Sequence, residues 1–211
     1  MKKIIAVDGP AGAGKSTVSK IVAAKLGYTY IDTGAMYRAV ALKSSRSCED
    51  LVDIIENTEI ELDDRARVFL DGAEVTKEIR TPEISKLASD VSKFPFVRKK
   101  LTELQRKMAT RGAVIMDGRD IGTQVLPNAD LKIFLTASID ERARRRFEEL
   151  QAKGQEVNFD AIKKEIALRD KQDSEREIAP LKQAEDAILI DSTNLTIDEV
   201  AGKILTLCST D

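Results

Sequence analysis

Five short apolar runs punctuate the chain: IIAVD at 4–8, YTYID at 28–32, AVIMD at 113–117, LKIFL at 131–135 and AILID at 187–191. They lack the polar alternation of a half-exposed strand, so each reads as a strand buried on both faces, as in a parallel sheet. Four of the five end in aspartate. Between them the spacing becomes helical. Residues 16–26 carry Val18, Ile21, Val22 and Leu26 on one face. Thr81-Pro82-Glu83 places a cap residue and a first-turn proline ahead of Ile84, Leu87, Ala88 and Val91. Pro95 opens a further helix to about Thr110, and Ser138-x-x-Glu141 and Thr196-x-x-Glu199 match the capping box. Strands alternating with helices predict an α/β fold, a parallel sheet covered on both faces.

Two segments interrupt the alternation. Residues 58–76 predict short antiparallel strands with Asp71-Gly72 as the hairpin turn. Residues 139–177 predict a long charged helical stretch broken near Gly154 to Asn158. Both read as insertions into one core. Ligands of an open parallel sheet lie beyond the carboxyl ends of its strands. Those ends are Asp8-Gly9, Asp32-Thr33-Gly34 and Asp117-Gly118-Arg119-Asp120, three acidic–glycine corners expected around one crevice, with glycine allowing each sharp turn.

Composition narrows the chemistry. At 211 residues, 42% apolar and 33% charged, the chain suits one soluble globular domain. A net charge of −2 gives no general field toward nucleic acid or acidic lipid. No run is long enough for a signal peptide or membrane span. Cys48 and Cys208 match no metal spacing and read as free thiols. A cytoplasmic location is expected. Histidine is absent, which excludes Ser-His and Cys-His nucleophilic catalysis and histidine metal sites.

The loop GPAGAGKST, Gly9, Pro10, Ala11, Gly12, Ala13, Gly14, Lys15, Ser16 and Thr17, follows a predicted strand and opens a predicted helix. In that context G-x-x-x-x-G-K-[ST] is a nucleotide-phosphate loop. Its backbone amides point at phosphate oxygens, Lys15 reaches the β- and γ-phosphates, and the Ser16 hydroxyl holds Mg²⁺. The loop does not choose between ATP and GTP; the guanine-reading Asn/Thr-Lys-x-Asp motif that GTPases normally carry is absent. Asp117, ending a middle strand, is the expected second metal residue, through water; Asp8 and Asp32 equally suit a turn-capping role.

Arginines dominate the remaining candidates. An acceptor that is already a phosphate needs no base but adds about two negative charges at neutral pH, so cations become limiting. Arg38 follows the second corner and Arg119 lies in the third. Arg169, Asp173 and Arg176 share one helical face, suited either to a solvated ion-pair ladder or to a site. In ERARRRFEEL, Glu141–Arg145, Arg144–Glu148 and Arg145–Glu149 are possible helix pairs, while Arg142, Arg145 and Arg146 form one basic stripe suited to a phosphate-covering lid.

The set DGPAGAGKST, DTGAMYR, EIRTPEIS, ASDVSKFPFVR, DGRDIGT, ERARRR and RDKQDSEREIAPL resembles the bacterial-type cytidylate kinases, in order and over nearly the whole chain. The resemblance implies a P-loop nucleoside monophosphate kinase fold with a five-stranded parallel sheet. It implies a core of about 1–38, 93–140 and 178–211, an acceptor-binding insertion at 39–92 and a helical lid with its following helix at 141–177. It implies the reaction ATP + CMP (or dCMP) ⇌ ADP + CDP (or dCDP) with Mg²⁺, and UMP as a poor acceptor. By motif, Arg38, Arg119 and Arg176 hold the CMP phosphate, Arg169 and Asp173 contact the sugar, Ser89, Arg98 and Asp120 read cytosine, and Thr33 stands near the acceptor. The expected catalytic set is Lys15, Arg119, Arg145, Arg169, Asp173 and Arg176. The expected partners are ATP and CMP or dCMP alone, without nucleic acid or membrane, and the expected state is a monomer. Lys43 to Asp50 is short for the family, and Gln172 and Ser174 stand where relatives often carry arginine. Two other readings stay open: a P-loop kinase of a small alcohol, such as a nucleoside or shikimate, with Asp32 or Asp120 as base, and a non-catalytic nucleotide-binding module.

Overall fold

The computed structural model describes residues 3–63, 66–110 and 112–209. Met1 and Lys2 of the N-terminal segment and residues 64 and 65 of the predicted antiparallel segment lie outside that set. All five apolar runs form strands. In chain order the elements are β1 (Ile4–Asp8), α1 (Lys15–Leu26), β2 (Thr29–Asp32), α2 (Thr33–Arg46), α3 (Leu51–Glu56), β3 (Ile60–Leu62), β4 (Val68–Leu70) and β5 (Ala73–Glu74). There follow a 3₁₀ turn (Glu78–Arg80), α4 (Pro82–Val91), α5 (Pro95–Ala109), β6 (Val114–Gly118), a π-helical turn (Ile121–Val125) and β7 (Leu131–Thr136). α6 (Ile139–Ala152), α7 (Phe159–Glu175), β8 (Ile188–Asp191) and α8 (Ile197–Ser209) complete the chain.

The main sheet has five parallel strands in the order β2-β6-β1-β7-β8. The chain leaves β1 toward β2 and β6, then crosses back to β7 and β8, so the strand order reverses beside β1, where an open sheet binds ligands. Register aligns the carboxyl ends: Asp8 lies opposite Gly118 and Phe134, and Asp32 opposite Asp117. Side chains alternate between the faces. Ile5, Val7, Ile115 and Ile133 pack with Val18, Val22, Val200 and Ile204 of α1 and α8, while Ala6, Val114 and Met116 pack with Ala109, Ile121 and Val125. β8 departs from the expectation of burial on both faces. It is the sheet edge, and Ile188 and Leu189 are exposed.

The insertions form as their patterns predict. β3, β4 and β5 are an antiparallel sheet, with Asp71 and Gly72 both at positive φ in the β4–β5 turn. α6 and α7, separated around Gly154, share a small core of Ala143, Leu150, Ile162 and Ile166. Thr196 and Glu199 complete a reciprocal capping box. Ser138 caps Glu141 N, but the Glu141 carboxylate turns to Arg144 and Arg145, so the second box is only half made.

The second corner is not a glycine turn. β2 runs directly into α2, whose N-cap is Asp32, accepting from Ala35 N at 2.8 Å. Gly34 lies inside the helix; a methyl there would stand 3.0 Å from Arg38 Nη1 and 3.2 Å from Asp32 Oδ1, so it would crowd that ion pair rather than serve a turn.

Candidate active site

One cleft of about 1050 Å³ is lined by the phosphate loop from Ala11 onward, the start of α2, the segment after β6 and the facing sides of α6 and α7; the second and third corners border it, and the first, Asp8-Gly9, does not. In the phosphate loop, Gly9 (φ 145°), Gly12 (φ 77°) and Gly14 (φ 92°) all lie in the region that favours glycine. No side chain caps α1, so its first amide N–H groups are available to an anion. Lys15 is buried and donates to the carbonyls of Gly9 and Pro10, each at 2.7 Å. Burial, helped by the nearby Arg119, lowers its ammonium to about 7.

Each corner aspartate has its own task. Asp117 accepts from Ser16 Oγ at 2.6 Å and from Tyr30 OH at 3.0 Å. Burial, and then the Asp32 charge, raise it to about 6. Asp32 accepts from Arg38 at 3.0 Å and Arg80 at 3.5 Å; burial acts to raise it, but the two guanidinium groups prevail and hold it below the usual carboxylate range. Asp8 does not line the cleft. It accepts from Ile121 N at 2.8 Å and Gly122 N at 2.7 Å, and burial raises it to about 6.

The wall facing the phosphate loop is an arginine–aspartate network drawn from four elements. Arg98 of α5 donates to Asp120, with its guanidinium 5.6 Å from the Tyr37 ring centroid. Arg176 reaches Asp120 at 3.5 Å and Asp173 at 3.9 Å, and Arg119 Nε donates to Asp173 at 2.8 Å. Burial acts to raise Asp173, but Arg119, Arg169 and Arg176 outweigh it and hold the carboxylate low. Burial and Arg119 lower Arg169 to about 10. Arg38 Nε and Arg169 Nε are buried donors without a hydrogen-bond partner. Residues 169–176 are thus not a solvated ladder: Asp173 is buried, and its shortest ion pair crosses to Arg119. Thr33, Ser89, Arg38, Arg98, Arg119, Asp120, Arg169, Asp173 and Arg176 all line the cleft.

The basic stripe of α6 divides. Arg145 and Arg146 line the cleft, but Arg142 does not. Arg142 is buried, donating to Ala137 O at 2.9 Å, to Ala11 O at 3.1 Å and to both Asp170 oxygens at 2.9 and 2.6 Å. It clamps α6 to α7 and to the phosphate loop. The expected Arg145–Glu149 pair does not form. Arg145 binds Glu141 and both oxygens of Ser192, and Glu149 binds Arg146 and Lys153. Glu141–Arg145 and Arg144–Glu148 form as spaced.

A match to the cytidylate kinase family model extends over residues 5–210. The chain belongs to the cytidylate kinase family. It is 57% identical to the cytidylate kinase of Caldicellulosiruptor bescii, over 98% of this chain and 96% of that protein. It is 53% identical to the cytidylate kinase of Bacillus subtilis, over 97% of this chain and 95% of that protein. Its fold is similar to that of a shikimate kinase from Bacteroides thetaiotaomicron, with a TM-score of 0.54 at 14% identity over 99% of both chains. Membership in the cytidylate kinase family makes the protein a phosphotransferase of the kinase class. No helix among the described residues is long and apolar enough to cross a membrane.

In this cytidylate kinase family member, part of the cleft lies outside the sequence-predicted site residues. Tyr37, Ser92, Ser192, Thr193, Asn194 and Leu195 also line it. Tyr37 was within reach, one position before Arg38. The 192–195 loop carries no motif, and only the parallel pairing of β7 with β8 brings it beside the phosphate loop.

Proposed function

We propose that the protein transfers the γ-phosphoryl group of ATP to CMP or dCMP, giving ADP and CDP or dCDP. The observation that carries this reading is the two-sided cleft. A phosphate loop with Lys15 and Ser16 faces an acceptor wall of Arg38, Arg98, Arg119, Arg169 and Arg176 across one cavity. An alcohol acceptor would call for a free base, and both candidates are engaged: Asp32 by Arg38 and Arg80, Asp120 by Arg98 and Arg176. A carboxylate held below its usual range is a weak base, so Asp32 suits charge compensation rather than deprotonation.

On this reading the loop amides and the N-terminus of α1 bind the ATP phosphates, and Lys15 exchanges its two carbonyl partners for phosphate oxygens. Ser16 and Asp117 are the residues that would hold Mg²⁺. Their hydroxyl and carboxylate oxygens, 2.6 Å apart, suit that cation. Bound Mg²⁺ supplies charge neutralisation across the phosphates. Arg38, Arg119 and Arg176 hold the acceptor phosphate, with the free Nε–H of Arg38 available to one of its oxygens. Arg169 and Asp173 take the sugar, Ser89, Arg98 and Asp120 the cytosine, and Thr33 stands near the acceptor. Arg145 stands over the loop at Gly14, placed to meet charge that develops during transfer.

Residues 39–92 serve as the acceptor-binding insertion and 141–177 as the lid with its following helix, on the core of 1–38, 93–140 and 178–211. The small molecules are the only partners proposed, for a monomer in the cytoplasm; the free thiols of Cys48 and Cys208 suit a reducing compartment. The test is ADP release from Mg-ATP with every nucleoside monophosphate and with cytidine. Turnover with CMP and dCMP but not cytidine is expected, and turnover with cytidine alone would overturn the reading in favour of an alcohol kinase.

A further inference from the structure

The buried carboxylate of Asp8 has no place in the chemistry above, yet it joins the two halves of the site. It ends β1 immediately before Gly9 of the phosphate loop. Its two oxygens accept from two consecutive amides, Ile121 N at 2.8 Å and Gly122 N at 2.7 Å, more than a hundred residues away. The Ile121 amide belongs to the peptide that follows Asp120, so its direction is set by the ψ angle of Asp120, which is 27°. The Asp120 carbonyl is engaged too, accepting from Gln124 N at 2.9 Å and Val125 N at 3.2 Å. The carboxylate of Asp8 and the π-helical turn therefore determine between them how the Asp120 backbone is held.

The charges around Asp8 are Asp120, which repels it, and Lys15, which attracts it. The Lys132 side chain passes beside it: a methyl on Gly122 would stand 3.1 Å from Lys132 Cδ and 3.3 Å from Asp8 Oδ2. A methyl at position 122 would therefore press on the Asp8 carboxylate and the Lys132 side chain. A carboxylate is the side chain that satisfies both amides at once, because both of its oxygens only accept. Asparagine would turn a donor toward one of them.

We propose that Asp8 is a positioning residue for acceptor-base specificity: it clips the Asp120 backbone to the strand that carries the phosphate loop, and so sets where the Asp120 carboxylate meets the base. The proposal rests on the reading of the base by Asp120 given above, and the test separates the two. Acceptor specificity is measured as the ratio of kcat/KM for CMP to that for UMP, in the full-length parent and in Asp8→Asn, Gly122→Ala and Asp120→Ala, with the Tm of each.

With Asp8→Asn the ratio is expected to fall about tenfold, the discrimination carried by one displaced base hydrogen bond, while the KM for ATP stays within about threefold. A merely structural role would lower kcat for both acceptors together and leave the ratio unchanged, and that result overturns the proposal. If Asp8→Asn does not fold, Gly122→Ala, which crowds the same carboxylate, carries the test with the same expected fall. Should Asp120→Ala collapse the ratio while the folded variants at 8 and 122 preserve it, the positioning role fails and base reading by Asp120 stands. An unchanged ratio in Asp120→Ala removes both.

Discussion

Arg98 and Asp120, from α5 and from the segment after β6, form an ion pair with both side chains under a tenth exposed. Arg176 adds a second guanidinium to the same carboxylate, and the Tyr37 ring flanks Arg98. Breaking a buried pair strands a charge, at a cost of about 3–5 kcal/mol. Arg98→Met is therefore expected to lower stability by about 3 kcal/mol and to raise the KM for CMP by at least about tenfold, leaving the KM for ATP nearly unchanged. Asp120→Ala is expected to act on CMP in the same direction. Steady-state kinetics in both substrates with urea unfolding checks this, and an unaltered KM for CMP takes both residues out of the acceptor pocket.

Arg142 and Asp170 make a second cross-chain contact with a different expected signature. The bidentate pair ties α6 to α7, and the same guanidinium reaches the phosphate-loop carbonyl of Ala11. Asp170 is about a quarter exposed, so the cost of removing Arg142 is set below that of a fully buried pair. Arg142→Ala is expected to cost about 2 kcal/mol and to lower Tm by roughly 4–8 °C. Arg142→Lys keeps the charge but loses the fork geometry and is expected to recover less than half of the loss. Thermal unfolding of the two variants checks this, and a Tm equal to that of the parent would show that the clamp is not a stabilising one.

The parts of the protein legible in sequence were those determined locally. Apolar runs gave the strands, cap residues the starts of α4, α6 and α8, and the glycine spacing the phosphate loop, because each depends on neighbours within a few residues. α2 went unread because its first residues, Thr33 and Gly34, are poor helix formers; Asp32 as N-cap and burial of Met36, Ala39 and Val40 decide it. The exposure of β8 was hidden for another reason, since AILID looks like any interior strand and only the strand order makes it an edge. At the site, the spacing of Arg169, Asp173 and Arg176 suited a surface ladder as well as a pocket. Arg119, 54 residues from Asp173, decides between them, and no local pattern records that contact.

Gly9 and Gly27 both lie at positive φ but carry different burdens, and substitution separates them. A methyl on Gly9 would stand 1.9 Å from the Leu135 carbonyl oxygen, inside the sheet, where nothing can yield. Gly27 ends α1 at φ 66° with open space around it. Gly27→Ala is expected to cost only the left-handed conformation, about 1–2 kcal/mol, with full activity. Gly9→Ala is expected to exceed about 4 kcal/mol or to prevent folding altogether. Expression yield and denaturant midpoints of the two variants give the comparison, and similar values for both would mean that β1 and β7 are not packed this closely.

Asp117 couples function to a stability cost, with a sign that pH reveals. Its carboxyl is raised from 3.8 to about 6, chiefly by burial. Between those values the folded chain holds a proton that the unfolded chain has released, so this group favours folding at low pH and its contribution is lost as pH rises through about 6. At neutral pH the charged form carries a penalty on the order of 3 kcal/mol. Asparagine has no charge to bury, and it can still accept from Tyr30 OH while the Ser16 hydroxyl turns to accept from its amide. Asp117→Asn is therefore expected to be more stable than the parent at pH 7.5, by up to about 3 kcal/mol, with the difference shrinking toward pH 5. Turnover with Mg-ATP is expected to fall on the order of 10- to 100-fold, because the carboxylate beside Ser16 is gone. Urea unfolding of both proteins from pH 5 to 8 decides it: a stability difference that does not change with pH would mean that the Asp117 carboxyl titrates in its ordinary range.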